Sequence, residues 1–171
     1  MPIDFGSDDD FLSAATMHGR DWPCLRQFVV ILENRVGSLG ELLRRLEKHD
    51  MRIVALSMVD TVEVAIARVM VDQFERAREI FEMSGFTFFE HDVVGVELPD
   101  NDQPFASVCS ALVHGEINVN YMYPLIYRRH GRGAVAIHVS DIESAQTVLR
   151  DSGHTLLTEN DLQSDDTSFG G

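Results

Sequence analysis

Cysteine is scarce in this chain, and what little there is excludes several classes at once. Cys24 and Cys109 are the only two among 171 residues, and neither sits in a CxxC or a Cys/His metal spacing. A disulfide-stapled scaffold and a zinc module are therefore set aside, and the pair reads as reduced thiols of a cytoplasmic protein. Long apolar runs are lacking too. The chain opens on Asp4, Asp8, Asp9 and Asp10, and no stretch of signal-peptide or membrane-spanning length follows, so no membrane partner is expected. Positive charge is also in short supply, with 14 Lys and Arg against 28 Asp and Glu and a net charge of -14. Such a chain repels phosphate backbones, so no nucleic acid is expected as a partner. The basic run Arg128, Arg129, His130, Arg132 reads as a solvated hairpin turn. Catalytic signatures are absent as well: there is no HExxH, GxSxG or GxxxxGK, and the seven histidines are scattered over the chain. Glu90 and Asp92 read as surface carboxylates. No catalytic residue, metal ligand or cofactor is assigned, and an enzyme is not expected.

What is present is a repeat. Shifting residues 71–87 by 68 positions brings Val71, Glu75, Ala77, Ser84, Gly85 and Thr87 onto Val139, Glu143, Ala145, Ser152, Gly153 and Thr155. The apolar stripe Phe74, Ala77, Ile80, Phe81 falls on Ile142, Ala145, Val148, Leu149 at helical spacing. Asp72 with Glu75 and Ser140 with Glu143 look like matched capping boxes at the two helix starts. Upstream, at a shift of 66, Leu39, Leu42, Leu43, Leu46 fall on Phe105, Val108, Cys109, Leu112. The two-residue difference belongs to the turn at 128–133, where insertion costs little.

Each copy reads as strand, helix, strand, strand, helix, strand. The first copy is expected at 25–32, 38–49, 52–59, 63–71, 73–84 and 86–91. The second is expected at 93–98, 103–114, 118–127, 134–139, 141–152 and 155–158. Period-two alternation assigns Ala67, Val69, Val71 and Val135, Ile137, Val139 to a helix-covered face. The opposite sets, Ile66, Arg68, Met70 and Ala134, Ala136, His138, should then look outward or toward another subunit, since an antiparallel sheet covered on one side leaves its second face open.

The run Val29-Val30-Ile31-Leu32-Glu33-Asn34-Arg35-Val36-Gly37-Ser38-Leu39-Gly40-Glu41-Leu42 resembles the strand, Glu-Asn, Gly, helix junction of the ACT domains, and is similar to the regulatory domain of phosphoglycerate dehydrogenase. Asp92 to Val96 and Val119 to Tyr123 resemble the second half of tandem ACT proteins, so the likeness spans about Leu25 to Leu162. The resemblance implies an α+β fold: two ferredoxin-like βαββαβ ACT modules in tandem, with antiparallel sheets and helices on one face. Domains are expected at 25–92 and 93–162, between a tail at 1–24 and a disordered tail at 163–171. It further implies a free amino-acid ligand, or a similar small metabolite, held between paired modules. On that implication Asn34, Arg35, Val36, Gly37, Ser38 and Leu39 form the ligand loop. The second-strand position that faces it matches Arg52 in the first copy and Asn118 in the second, and Asn118 is taken as its partner. The second copy departs from the pattern, with Gln103 in place of the loop glycine and Pro99, Asp100, Asn101, Asp102, Pro104 around it. A homodimer is implied as well, as is regulation of a metabolic enzyme. The alternative reading is a regulatory subunit of a separate amino-acid biosynthetic enzyme, like the acetolactate synthase small subunit.

Elementary chemistry supports the loop without settling it. Gly37 tolerates backbone conformations closed to other residues, and the N–H groups of Ser38, Leu39 and Gly40 open a helix whose dipole favours a carboxylate by about 0.3 to 1 kcal/mol. The Asn34 amide oxygen can accept from an ammonium. Spacing alone also fits a plainer reading, in which Ser38 and Glu41 form a capping box and Gly37 merely makes the turn before an ordinary helix.

Overall fold

β-branched and aromatic residues alternating at period two produce the strands, and apolar residues at i, i+3, i+4 and i+7 produce the helices that cover them. In a computed structural model that describes residues 24–126 and 132–162, the first copy runs β1 (Leu25–Glu33), α1 (Ser38–Lys48), β2 (Ile53–Asp60), β3 (Val64–Val71) and α2 (Phe74–Met83). A long β4 (Thr87–Glu97) leads into α3 (Pro104–His114), β5 (Val119–Leu125), β6 (Ala134–Val139), α4 (Ile142–Asp151), β7 (Leu156–Leu157) and α5 (Glu159–Leu162). The order is the βαββαβ repeat expected from the sequence, in an antiparallel α+β arrangement. The expected tail at 1–24, apart from Cys24, the turn residues Arg128 to His130 and the tail at 163–171 lie outside the described residues.

The strands at 86–91 and 93–98 are in fact one. β4 pairs with β1 from Thr87 to Val93 and with β6 from Val94 to Glu97, and Gly95 and Val96 also pair with β7. The fourth strand of the first module and the first strand of the second are thus halves of a single strand, and the sheet is ordered β2-β3-β1-β4-β6-β5. Nothing between His91 and Val93 breaks an extended chain, since there is no Pro or Gly there to turn it.

The capping boxes do not form. Asp72 Oδ1 accepts from the Arg52 N–H at 3.1 Å, and Glu75 is engaged by Arg26 and Arg78, so α2 starts at Gln73 without a side-chain cap. α4 is capped one residue later than expected, by Asp141, whose Oδ1 accepts from the Ser144 N–H at 3.0 Å.

Three cores result. Under α1 and α2, Phe28 stacks on Phe74 at 4.2 Å and meets Phe81 edge-on at 4.9 Å, among Ala67, Val69 and Val71. Under α3 and α4, Val135, Ile137 and Val139 pack on Val108, Leu112, Ala145 and Leu149. The third core lies between the modules and holds Leu25, Val54, Met70, Val93, Tyr123, Leu125, Ala134, Ala136 and Leu157. Here the structure corrects the sequence reading. Met70, Ala134 and Ala136, expected to look outward or toward another subunit, are fully buried against the other half of the same chain. Period-two patterning separates two faces but carries no information on what covers the second. Further ties hold the halves together: Ile126 N–H donates to Val54 O at 2.6 Å, and Arg52 Nη2 donates to the Leu162 carbonyl at the end of α5. Among the described residues no helix is long and apolar enough to cross a membrane.

Candidate functional site

β1 ends at Glu33, and the chain turns through 34–37 into α1. Gly37 sits at φ +94°, ψ -11°, in the left-handed region, and a Cβ there would meet nothing within 4 Å. Glycine is therefore demanded by the backbone rather than by crowding. No side chain caps α1, and its first intrahelical bond is Glu41 N–H to Gly37 O at 2.9 Å, so the N–H groups of Leu39 and Gly40 have no intrahelical acceptor. The Ser38 hydroxyl is buried and has no hydrogen-bond partner among the described residues, an arrangement native proteins rarely leave unsatisfied. Asn34 donates through Nδ2 to the Thr61 carbonyl at 3.0 Å. That bond ties the loop to the turn between β2 and β3 and leaves the Asn34 amide oxygen as a free acceptor.

The remaining loop residues play other parts. Glu41, which a capping box would direct to the Ser38 N–H, instead pairs with Arg35 at 3.1 Å, and Glu33 takes the other side of that guanidinium at 2.8 Å. These hydrogen bonds, Glu33 first, raise the Arg35 pKa, and the guanidinium is neutralised by its own neighbours. Val36 is fully exposed and Leu39 packs on the first core.

Asn118 lies just before β5, exposed, and donates to Asn120 Oδ1 at 3.5 Å. The hydrogen bonds of Asn34 and Asn118 thus run to separate partners, and no bond joins Asn118 to the 34–37 turn within one chain. The matching residue Arg52 is held by Asp72 and Leu162. The loop of the second copy is closed on itself: the Gln103 N–H donates to Asn101 Oδ1 at 2.9 Å, and Pro104 opens α3 without an N–H to offer.

Sequence reasoning missed a polar seam between the modules. Gln27, fully buried on β1, accepts from the Tyr123 hydroxyl and donates to the Tyr121 hydroxyl. Burial pushes the Tyr123 hydroxyl above its ordinary pKa. Arg68 lies over the Tyr121 ring at 3.9 Å, and that ring stacks on His138 at 4.7 Å. His91 and His138 are 5.3 Å apart, and Asn120 Nδ2 lies 3.0 Å from His138 Nδ1. Tyr121 and Tyr123 pack between the modules, and the signal available in the sequence was their alternation along β5 with Asn120 and Met122. A cleft of about 330 Å³ lies beside α2, lined by Arg26, Asp72, Phe74, Glu75, Arg76 and Glu159 among others. Its buried arginine, Arg26, is already neutralised by Glu75 and Glu159.

Comparison with solved structures places this arrangement. BT0572 from Bacteroides thetaiotaomicron is 25% identical, with a TM-score of 0.75 over 83% of this chain and 97% of that one. The ligand-free regulatory subunit of aspartate kinase from Thermus thermophilus is 14% identical, with a TM-score of 0.54 over 78% of this chain and 92% of that one. Its counterpart from Thermus flavus is 12% identical, with a TM-score of 0.51 over 78% and 94%; these two likenesses concern the fold. No curated protein matches the sequence. Residues 24–164 match the family model of the ACT domain pair, and with the duplicated βαββαβ units described above this chain belongs to the ACT domain pair family.

Proposed function

We propose that this protein is a non-catalytic cytoplasmic regulator that binds a free amino acid, or a similar small metabolite, at the loop of residues 34–39. The observation that carries the reading is the open start of α1, where two helical N–H groups lack intrahelical acceptors beside the unpartnered, buried Ser38 hydroxyl. The ligand carboxylate accepts from Leu39 and Gly40 N–H and from Ser38 Oγ, and the ammonium donates to Asn34 Oδ1. Gly37, lacking a Cβ, admits the ligand to the backbone. Because Asn34 also holds Thr61, binding there stiffens the β2–β3 turn together with the loop. Asn118, exposed at the start of β5, completes the site from a second copy in a homodimer. Calorimetric titration of the proteinogenic amino acids tests this: one or a few are expected to bind, and Gly37→Val and Asn34→Ala to weaken them. Absence of any binding tighter than about millimolar defeats the reading.

A second reading, regulatory subunit of a separate biosynthetic enzyme in the manner of the acetolactate synthase small subunit, is favoured by one observation. Phe89 and Val59, at 56% and 44% exposure, lie on the sheet face away from α1 and α2, in register with Val29 and Ile66. Co-purification of a catalytic subunit through that face supports it, and recovery of a free homodimer alone counts against it.

A further inference from the structure

Several arginines of this acidic chain are answered by a carboxylate. Arg26, Arg35, Arg78 and Arg132 each face one within 3.5 Å. Arg68 does not: among the described residues its side chain makes no ion pair and no hydrogen bond, and its Nε is buried without a partner. One face of its guanidinium rests on the Tyr121 ring at 3.9 Å. A buried N–H without an acceptor is costly, and a planar guanidinium fork is matched to a two-oxygen anion.

The surroundings are of the same character. His91 on β4 is half-buried with its Nδ1 unpartnered among the described residues, and His138 on β6 stacks on Tyr121 with Asn120 at its Nδ1. Among the described residues, the groups that face the two rings are Arg68 from β3, Tyr121 and Asn120 from β5, and each other, and no carboxylate is among them. Burial lowers both histidine pKa values; Arg68 lowers that of His91 further, and His91 and then Arg68 lower that of His138. The cluster reaches solvent at Asn120, which is exposed. It is separate from the 34–39 loop and goes beyond the reading given for it.

We propose that Arg68, with His91, His138, Asn120 and Tyr121, forms a second site, between the modules, for a small oxyanion, a carboxylate or a phosphate. The anion takes the guanidinium fork, Asn120 donates to it from the rim, and the histidines stand as donors that strengthen on protonation. Since residues of both modules contribute, anion binding draws β3, β4, β5 and β6 together and couples the two halves of the chain.

The test uses the full chain, with inorganic phosphate and succinate as probes at constant ionic strength. NMR titration of the histidine side chains in the unmodified protein is expected to show saturable binding of one probe or both, with the His91 and His138 pKa values rising on saturation. Phosphate alone or succinate alone then identifies which oxyanion the site takes. Arg68→Gln is expected to weaken binding about ten-fold or more, while Asn34→Ala, in the other loop, leaves it unchanged. Failure of both probes to saturate or to move the two histidines in the unmodified protein overturns the proposal, as does equal affinity in a folded Arg68→Gln variant. An effect of Asn34→Ala equal to that of Arg68→Gln returns the anion to the 34–39 loop and overturns it as well.

Discussion

Arg26 on β1 and Glu159 on α5, 133 positions apart, meet through two parallel hydrogen bonds of 2.5 and 2.9 Å. The arginine is 7% exposed and lies 4.0 Å above the Phe74 ring, so the last helix of the second module is fastened onto the first through a desolvated, aromatic-backed cation. Glu159→Gln is expected to destabilise the fold by about 1 kcal/mol. That is less than a fully buried pair because Glu159 is 37% exposed and Glu75 remains as a partner. Urea unfolding of the variant checks the size. A loss as large as that of Arg26→Ala would show that Glu75 offers no substitute.

Gly95 lies where β4 passes from one module to the next, and a Cβ there would come within 2.5 Å of Leu25 Cδ1 and 3.1 Å of Leu157 Cβ. Both leucines are buried in the inter-module core, so Gly95→Val should overpack it at a cost of about 1 to 3 kcal/mol. Thermal unfolding is the measurement. An unchanged melting temperature would mean that the two leucines give way freely.

Gly37→Val should also destabilise, by about 1 to 2 kcal/mol, but for a different reason: the space is open and only the left-handed backbone resists. Gly37→Asn should therefore recover most of the loss, since asparagine tolerates that region. Equal losses for Val and Asn in chemical denaturation would point to steric contact instead.

Tyr123→Phe removes the hydroxyl that Gln27 accepts from inside the seam. Gln27 is fully buried, and an orphaned buried acceptor costs about 1 to 3 kcal/mol. In a double-mutant cycle with Gln27→Leu the two losses should be markedly less than additive; additivity would show that the bond contributes nothing.

His91 and His138 bear on pH. Their folded pKa values lie below the ordinary 6.5 through burial and, more weakly, nearby positive charge. Between the folded value and 6.5 the unfolded chain holds more protons, so stability rises with pH through that window and is lost as pH falls through it. Replacing both histidines with glutamine should flatten this part of the profile, measured as unfolding midpoints at a series of pH values. A slope that survives the double substitution would assign it to other groups.

Much of the fold was legible along the chain. Self-similarity between 71–87 and 139–155 disclosed the duplication, because each copy must present the same apolar stripe to the same kind of sheet. Helix starts were legible only to within a residue. Capping depends on where a side chain points, and Asp72 points to Arg52 while Asp141 takes the role expected of Ser140. At the loop, Gly37 was marked by its residue type, whereas the diversion of Glu41 to Arg35 was not, since either partner is compatible with the same spacing.

What the order of residues determined by itself was periodicity: which positions are strand or helix, which share a face, and that the pattern occurs twice. Only the tertiary structure decided that β4 is one strand serving both modules, that Met70 and Ala136 close on each other's half, and that Arg68 and His138 come to the same seam. The reason is physical. Periodicity follows from local backbone geometry, but the partner of a face or of a charge is chosen by long-range packing between residues far apart in the chain, which no local pattern encodes.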